Sequence, residues 1–378
     1  MPKYNSIRFF YDSEVNPILQ KVVNHPILKA MMNYTFPDLE DVVWKNQLLK
    51  THSIHDFQAN FIYPALQRVL KNSSEGLTTS GFDKLEPNTA YLYISNHRDI
   101  ILDTSLLNVS LLDHGLILTA SAVGDNLVKK QALELIAKLN RNFIIKRGLS
   151  PRELLVSSKL VSEYIEQLLL KDNSSVWIAQ REGRTKDGND ATHPGVLKMI
   201  AMSDSEGNPV NYFKKLKVVP VSISYEYDPT DSLKIGRLLA QAKNEAYIKS
   251  KNEDFATILS GLLGQKKHIH IHVGDILDQE LDVIAQQHPQ SNKQIQAIAS
   301  AIDDQILKNY KLWPTNFVAY DIVHNTNQFE KFYTDKDKQL FIRRLEMHLA
   351  GENQHLKSEF LEMYSNPVVN RLKYGNIE

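Results

Sequence analysis

Between residues 76 and 276 the sequence alternates short apolar runs with longer amphipathic stretches, and this alternation limits the possible folds more than any other feature of the chain. Short apolar runs are typical of buried strands, whereas apolar residues spaced three and four apart are typical of helices. Candidate strands cover residues 90–94, 116–120, 142–145, 176–179, 217–224 and 268–273, and candidate helices cover 104–112, 126–139, 151–170 and 193–203. This pattern predicts an α/β fold with a mixed, largely parallel sheet flanked by helices.

The two ends of the chain have a different pattern. Apolar residues recur at helical spacing from residue 5 to about 70 and again after about 277. Residues 71–76 form a polar segment typical of a linker. We therefore expect three regions: a helical N-terminal region over 1–75, an α/β core over 76–276 and a helical C-terminal region over 277–378.

Composition argues against several classes of function. Lys and Arg together number 44, as do Asp and Glu, so no overall charge excess directs the chain to nucleic acid, and any anion site must come from local clustering. The absence of cysteine rules out disulfides, thiolate metal sites and cysteine nucleophiles. The first thirty residues lack the pattern of a secretory signal, and polar residues interrupt the most apolar stretch, 106–123, so we expect no membrane span.

Charged and polar clusters follow three of the candidate strands. His97 follows the first strand, Lys146 and Arg147 follow the third, and residues 180–188 follow the fourth. The last cluster combines two glycines, which let the backbone approach a ligand, with cations suited to a phosphate. Because ligands gather at the carboxyl ends of strands in α/β sheets, we expect a binding site there.

Four short blocks occur in a fixed order between residues 80 and 275. They are Asn96-His97 with Asp103, Phe143-Ile144 with Arg147, Glu182-Gly183-Arg184, and Val219-Pro220-Val221. In this order the blocks resemble those of the glycerolipid acyltransferase family, which includes glycerol-3-phosphate and 1-acylglycerol-3-phosphate acyltransferases. Two spacings differ from that family's pattern: five residues rather than four separate His97 from Asp103, and Arg184 follows Gly183 directly.

The resemblance implies acyl transfer from a thioester, either acyl-CoA or acyl carrier protein, to a hydroxyl of a glycerol phosphate or lysophospholipid. It makes His97 the general base and Asp103 its partner, with no metal, cofactor or acyl-enzyme required. The substrate-binding residues that it implies are Asn96, Lys146, Arg147, Glu182, Gly183, Arg184, Lys186 and Pro220. The cations among them would hold the acceptor phosphate, and Glu182 would orient an arginine or the acceptor hydroxyl.

The spacing of His97 and Asp103 restricts where the following helix begins. Side chains six positions apart do not meet on one helix, because neighbours on its surface lie three or four positions apart. His97 must therefore precede the helix. If Asp99 caps the helix and Ile100 begins it, Asp103 points from the first turns and the loop carrying His97 can reach it.

Two other features of the sequence allow more than one interpretation. Pro220 removes a hydrogen-bond donor from its strand, which favours an edge strand or an irregular position. His268, His270 and His272 alternate along a strand and could bind a metal together with Asp275. A polar strand face is the simpler interpretation of these histidines, because alternating side chains stand in a row and do not converge.

Alternatives to acyl transfer onto a glycerol phosphate remain open from the sequence. One is acyl transfer to an aminoacyl lysolipid or another lipid, whose anion the arginines would then hold. Another, from a different class, is a non-catalytic protein that binds lipid or an acyl carrier. We expect a cytoplasmic protein that lies on the inner face of a membrane through apolar and basic groups without crossing it.

Overall fold

The computed structural model describes residues 2–242, 245–247, 250, 253–349 and 354–377. Its strands are β1 (Gly76–Ser80), β2 (Leu92–Ser95), β3 (Thr119–Gly124), β4 (Asn142–Ile145), β5 (Ser175–Ala179), β6 (Val218–Tyr225) and β7 (His268–Val273). They form one sheet in the order β1-β7-β6-β2-β5-β3-β4. Every neighbouring pair is parallel except β6 and β7, which run antiparallel. The predicted α/β fold with a mixed, largely parallel sheet is confirmed.

Helices surround this sheet. Those before β1 are α1 (Asp12–Val22), α2 (Pro26–Thr35), α3 (Asp41–Leu49), α4 (Ile54–Phe57) and α5 (Tyr63–Ser73). Those between strands are α6 (Leu102–Asp113), α7 (Gln131–Leu139), α8 (Pro151–Leu170), α9 (Pro194–Ile200), α10 (Pro209–Lys215), α11 (Asp231–Ala242) and α12 (Glu253–Leu263). Those after β7 are α13 (Asp278–Gln287), α14 (Ser291–Asn309), α15 (Pro314–His324), α16 (Asp335–His348) and α17 (Gln354–Leu372). No helix within the described ranges is both long and apolar enough to cross a membrane.

The middle strands of the sheet are buried on both faces. Nearly every residue of β2, β5 and β6 is buried, which fits the continuous apolar runs that the sequence shows there. Side chains alternate between the faces, so Leu92 and Ile94 join one apolar cluster while Tyr91 and Tyr93 join the other. The sheet therefore holds its central loops between two packed layers.

Some predicted elements have the predicted bounds and others do not. Strands β4 and β7 and helix α8 begin and end as predicted. Strand β3 lies further along the chain than predicted, because Gly115, with φ +66°, follows the end of α6 and residues 116–118 only connect the two elements. Strand β1 was not predicted, and the linker expected at 71–76 contains the end of α5 and the first residue of this strand.

Of the two positions predicted for Pro220, the edge strand is wrong, since β6 is paired on both sides, and the irregular position is the one observed. Pro220 is opposite Ile94 of β2, and its carbonyl accepts a hydrogen bond of 2.8 Å from the amide of Gly274. Gly274 comes just after Val273, the last residue of β7 in the ladder. The backbone nitrogen of Pro220, which has no hydrogen to donate, therefore lies where the pairing of β6 with β7 has ended. An interior strand can accommodate the proline at such a position.

Apolar packing crosses both of the predicted region boundaries. Tyr4 and Ile7 from the N-terminal segment and Leu277 and Ile302 from the C-terminal segment belong to the same buried cluster as the sheet. Other buried residues of the N-terminal helices form a cluster of their own, which Leu139 of α7 joins. The division at 75 and 276 stays a prediction.

Candidate functional site

A cleft of about 1240 Å³ opens at the carboxyl edge of the parallel strands. Among the predicted site residues it is lined by His97, Lys146, Arg147, Glu182, Gly183, Arg184 and Lys186. The loops after β2, β3, β4 and β5 therefore meet at one place, as expected for a parallel sheet. Asn96, Asp103 and Pro220 lie behind the wall of the cleft and do not line it.

His97 and Asp103 are in direct contact. His97 Nδ1 lies 2.8 Å from Asp103 Oδ2, and the Asp103 side chain is fully buried whereas that of His97 is 15% exposed. A carboxylate accepts hydrogen bonds, so this contact places the proton of the neutral imidazole on Nδ1. His97 Nε2 is then an acceptor with no protein partner among the described residues.

Asp103 is held by donors from three directions besides His97. Its Oδ2 atom accepts from the backbone amides of Arg98 at 2.6 Å and Asp99 at 3.0 Å, and its Oδ1 atom accepts from the Tyr225 hydroxyl at 2.8 Å. Tyr225 ends β6, the strand beside β2. These bonds fix the carboxylate in one orientation beneath the imidazole.

The loop between β2 and α6 explains how residues six positions apart can meet. Asp99 Oδ1 accepts hydrogen bonds from the amides of Ile101 at 2.9 Å and Leu102 at 2.8 Å, so it satisfies the first donors of α6 from the loop, but the N-cap position is Ile101 and not Asp99. The helix begins at Leu102 rather than at Ile100. Asp103 therefore lies in the first turn, facing back to the loop that carries His97. Burial, together with the charge of Asp103, raises the pKa of Asp99.

The side chain of Asn96 bonds to the backbone of a neighbouring strand. Its side-chain amide donates to the carbonyl of Ile223 at 2.9 Å, and its side-chain oxygen accepts from the Ile223 amide at 2.8 Å. The side chain thus continues the pairing of β2 with β6 beyond the end of the ladder, and it is completely buried. Asn96 positions the loop before His97, and both ends of its amide are occupied by backbone.

The loop after β5 is attached to the loop that carries His97. The amide of Thr185 donates to the carbonyl of His97 at 3.1 Å, and the buried Arg98 guanidinium is paired with Asp190. Gly183, with φ +71°, lets the chain turn at the cleft wall. Glu182 forms an ion pair of 2.7 Å with Arg147, which joins the β5 loop to the end of β4.

Two cations of α11 line the same cleft, and sequence reasoning did not find them. They are Lys234, which pairs with Asp228 at 2.5 Å, and Arg237. Arg184 donates to the Thr230 hydroxyl at 3.1 Å, which ties the β5 loop to the start of α11. Two basic residues three positions apart on one helix can be recognised in the sequence as a basic helix face. Their place at the cleft depends on β6 lying beside β2, which the sequence does not reveal.

The ionisation of Lys186 is strongly perturbed. Burial, together with the nearby positive charges of Arg184, Lys234 and Arg237, lowers its pKa to about 6, against the opposing effect of Asp228. No hydrogen bond or ion pair involves its ammonium group within the described part of the chain. This end of the cleft is therefore suited to an anion.

The other end of the cleft is apolar. Leu127 follows β3, Ile145 ends β4, and Leu154 and Val161 of α8 and Met199 of α9 face the same space. The edge of Trp177 lies against the His97 ring, with centroids 5.6 Å apart. A ligand that reaches His97 thus lies between an apolar wall and a group of cations.

The alternating histidines of β7 bond to neighbouring side chains. His270 contacts Thr78 and Ser80 of β1, and His272 contacts Ser80, at distances between 2.8 and 3.0 Å. His268 binds Glu226, and Asp275 pairs with Lys84. The described residues contain no cluster of three or more His, Asp or Glu side chains able to hold a metal ion. The histidines form a polar strand face, which was the simpler interpretation.

Comparison with known proteins gives a distant structural likeness. No protein-family model and no curated protein matches the chain. Among solved structures, the chain is similar to the 1-acyl-sn-glycerophosphate (LPA) acyltransferase PlsC from Thermotoga maritima, with 13% sequence identity and a TM-score of 0.38, over 77% of this chain and 94% of that one. The likeness is distant. A superposition at this level assigns no residue roles, and these follow from the site itself.

Proposed function

We propose that the protein is an O-acyltransferase that moves a fatty acyl group from a thioester to a hydroxyl of a glycerol phosphate or lysophospholipid. The observation that carries the proposal is the contact of 2.8 Å between His97 Nδ1 and the buried carboxylate of Asp103, at the wall of a cleft with one apolar and one cationic end. An apolar end suits the acyl chain, and a cationic end suits the acceptor phosphate.

The reaction needs one base. His97 Nε2 takes the proton of the acceptor hydroxyl as its oxygen attacks the thioester carbonyl, and a tetrahedral intermediate forms. The intermediate expels the thiolate, which receives the proton from His97 Nε2, so an ester and a free thiol are the products. Asp103 stabilises the imidazolium that exists between the two proton transfers. General base catalysis of this kind contributes about a hundred- to ten-thousandfold in rate.

The donor in this proposal is acyl-CoA or acyl carrier protein. The apolar end of the cleft lies between α8, β4 and α9, and Leu154 at its rim is 52% exposed, so an acyl chain attached to a larger carrier can enter from outside. Lys146 and Arg147 lie at this side of the site, on the loop after β4. They are placed to meet the anionic groups that both carriers bear.

We further propose that the protein acts on the cytoplasmic face of a membrane. Leu154, Leu155 and Val156 at the start of α8 are consecutive and each more than half exposed, and they adjoin the apolar end of the cleft. The exposed cations Arg152 and Lys159 lie two residues before Leu154 and three residues after Val156. Apolar side chains among cations favour the surface of an anionic bilayer, from which a lipid acceptor can enter directly.

Turnover with a labelled acyl thioester tests the function. The purified protein is incubated with acyl-CoA or acyl carrier protein and with glycerol 3-phosphate, lysophosphatidic acid or an aminoacyl lysolipid, and labelled lipid is measured. We expect transfer to a phosphate-bearing acceptor and its loss in His97→Ala, with acyl-donor binding retained. Transfer only to the aminoacyl lysolipid would indicate the second acceptor class. Binding of donor without turnover, or full turnover by the variant, would contradict catalysis by His97.

A further inference from the structure

We propose that the loop after β5 and helix α11 form a subsite for a phosphate monoester, in which Lys186, Lys234 and Arg237 receive the negative charge. The inference rests on the proposed function, because it names the place where the phosphate of the acceptor binds. Lys234 and Arg237 belong to none of the four sequence blocks. They line the cleft because α11 follows β6, which is the neighbour of β2 in the sheet.

The balance of charge differs between the two sides of the cleft. On the β4 side, Arg147 is already paired with Glu182 at 2.7 Å. On the α11 side, Asp228 is engaged by Lys234, and no ion pair involving Lys186 or Arg237 occurs among the described residues. Lys186 and Arg237 therefore have no ion-pair partner among the described residues, unlike Arg147, and the acidic side chains that line the same cleft beyond Glu182 are Glu253 and Asp254 of α12.

Placing these cations close together is unfavourable in free energy unless an anion binds among them. Lys186 is partly buried, and charge that is buried without a partner is unfavourable. The same environment lowers the pKa of Lys186 to about 6. A phosphate dianion would offset the repulsion and supply the acceptors that the Lys186 ammonium lacks.

The position of this subsite relative to His97 suits a short acceptor. The β6 strand, which leads to α11, is next to β2, about 4.8 Å away, whereas β4 is three strands from β2 on the other side, about 14 Å away. Hydrogen bonds from Thr185 to His97 and from Arg184 to Thr230 connect the β2 loop, the β5 loop and α11. Only a few bonds separate hydroxyl and phosphate in glycerol phosphate, so its phosphate reaches the α11 side while its hydroxyl is at His97.

Calorimetric titration of the full-length protein tests the subsite without any need for turnover. The probes are sn-glycerol 3-phosphate and inorganic phosphate, each added to wild type, Lys186→Gln and Arg237→Gln. We expect each substitution to raise Kd about tenfold or more, because each removes one charge-assisted hydrogen bond. Arg152→Gln is the matched control: Arg152 is exposed on α8 and does not line the cleft, so its Kd should equal that of wild type.

Arg147→Gln decides between the two sides of the cleft. The proposal requires a smaller rise in Kd than either α11-side variant gives. A larger rise, or wild-type affinity in Lys186→Gln and Arg237→Gln, would place the phosphate on the β4 side and overturn the inference, as would failure of wild type to bind either probe. Should Lys186→Gln fail to fold, the exposed Arg237 decides alone. Phosphate binding at this subsite without acyl transfer to any acceptor would refute the proposed function but would still support the proposed subsite.

Discussion

At the scale of single residues, the carboxylate of Asp103 determines what His97 can do. Asp103→Asn keeps the size of the side chain but removes the charge that stabilises the imidazolium. We expect kcat to fall by about a hundred- to ten-thousandfold with little change in KM, because the loss concerns the transition state and not the bound substrate. Steady-state kinetics with a labelled acyl thioester measure the two constants separately.

Tyr225→Phe is the control for that experiment. It removes one hydrogen bond to Asp103, of 2.8 Å, but leaves the carboxylate charged and in contact with His97. We expect a clearly smaller loss of kcat than in Asp103→Asn. Equal losses in the two variants would show that Asp103 acts by holding the loop in shape, and the role of its charge would have to be abandoned.

The lowered pKa of Lys186 predicts that phosphate binding depends on pH. Its pKa of about 6 makes it mostly an amine at pH 7.5 in the free protein, and a bound dianion favours the ammonium form. Binding therefore takes up a proton, and affinity falls as pH rises above 7, where a phosphate monoester is already dianionic. The other charged groups that act on Lys186 are present both with and without bound phosphate; they are Arg184, Lys234, Arg237 and Asp228.

Calorimetry in two buffers with different ionisation enthalpies measures this proton uptake. We expect uptake approaching one proton per phosphate at pH 7.5 in wild type and close to none in Lys186→Met. An uptake that persists in the variant would assign the proton to another group of the cleft, for which His97 is the first candidate.

At the scale of elements, the sequence predicts the strands that are apolar and the helices that have clear ends. Helix α8 begins at a capping box formed by Ser150 and Glu153, with Pro151 between them, and this pattern is local. Strand β1 was missed because it is an edge strand, and its Thr78 and Ser80 hydroxyls bond to histidines of β7 that are distant in sequence. Its partners, and not its own composition, make it a strand.

The candidate site shows the same limit. The contact of His97 with Asp103 could be predicted because both residues lie on one short segment, where the rule of helical spacing applies. The contribution of Lys234 and Arg237 could not, since it depends on the pairing of β6 with β2, which brings the start of α11 to the site. Asn96 resembled a ligand-binding residue in sequence, but its amide is used by the backbone of Ile223.

Helix α17 positions the loop that follows β5. Gly188 in this loop has φ +74°, and a Cβ atom at this position would lie 2.1 Å from the Met363 carbonyl oxygen of α17. Asn366 also donates to the carbonyl of Asp187 at 2.7 Å. Gly188→Ala should lower the free energy of unfolding by about 1–3 kcal/mol from backbone strain alone, and more from the collision. Thermal unfolding and kcat/KM measure the effects on stability and on the site.

Gly183→Ala separates backbone strain from the collision. Gly183 also has positive φ, but nothing lies within 4 Å of its added Cβ. We expect a smaller loss of stability than in Gly188→Ala. If the two variants lose the same amount, contact with α17 does not constrain the loop.

At the scale of the whole molecule, a chain without net charge concentrates cations and apolar groups at one opening. The formal net charge is zero, yet the cleft is lined by seven Lys and Arg residues and three acidic ones. Exposed apolar side chains lie close to it at the start of α8 and on α12, where Leu259 and Leu263 are exposed. Such an arrangement is suited to a lipid surface that carries negative charge.

The start of α8 predicts how the protein binds a bilayer. Leu155 and Val156 are 62% and 66% exposed, so replacing both with Glu removes apolar area without disturbing the core and adds charge that an anionic surface repels. Burial of such side chains contributes up to about 1.5–3 kcal/mol each, so we expect at least a tenfold loss of binding to phosphatidylglycerol vesicles in co-sedimentation. Met347→Glu is the control, because Met347 is 72% exposed on α16, outside the cleft lining, and should leave binding unchanged. Equal binding by all three proteins would mean that α8 does not face the membrane. If the double variant loses vesicle binding but keeps its turnover on short-chain soluble substrates, α8 serves membrane binding and not catalysis.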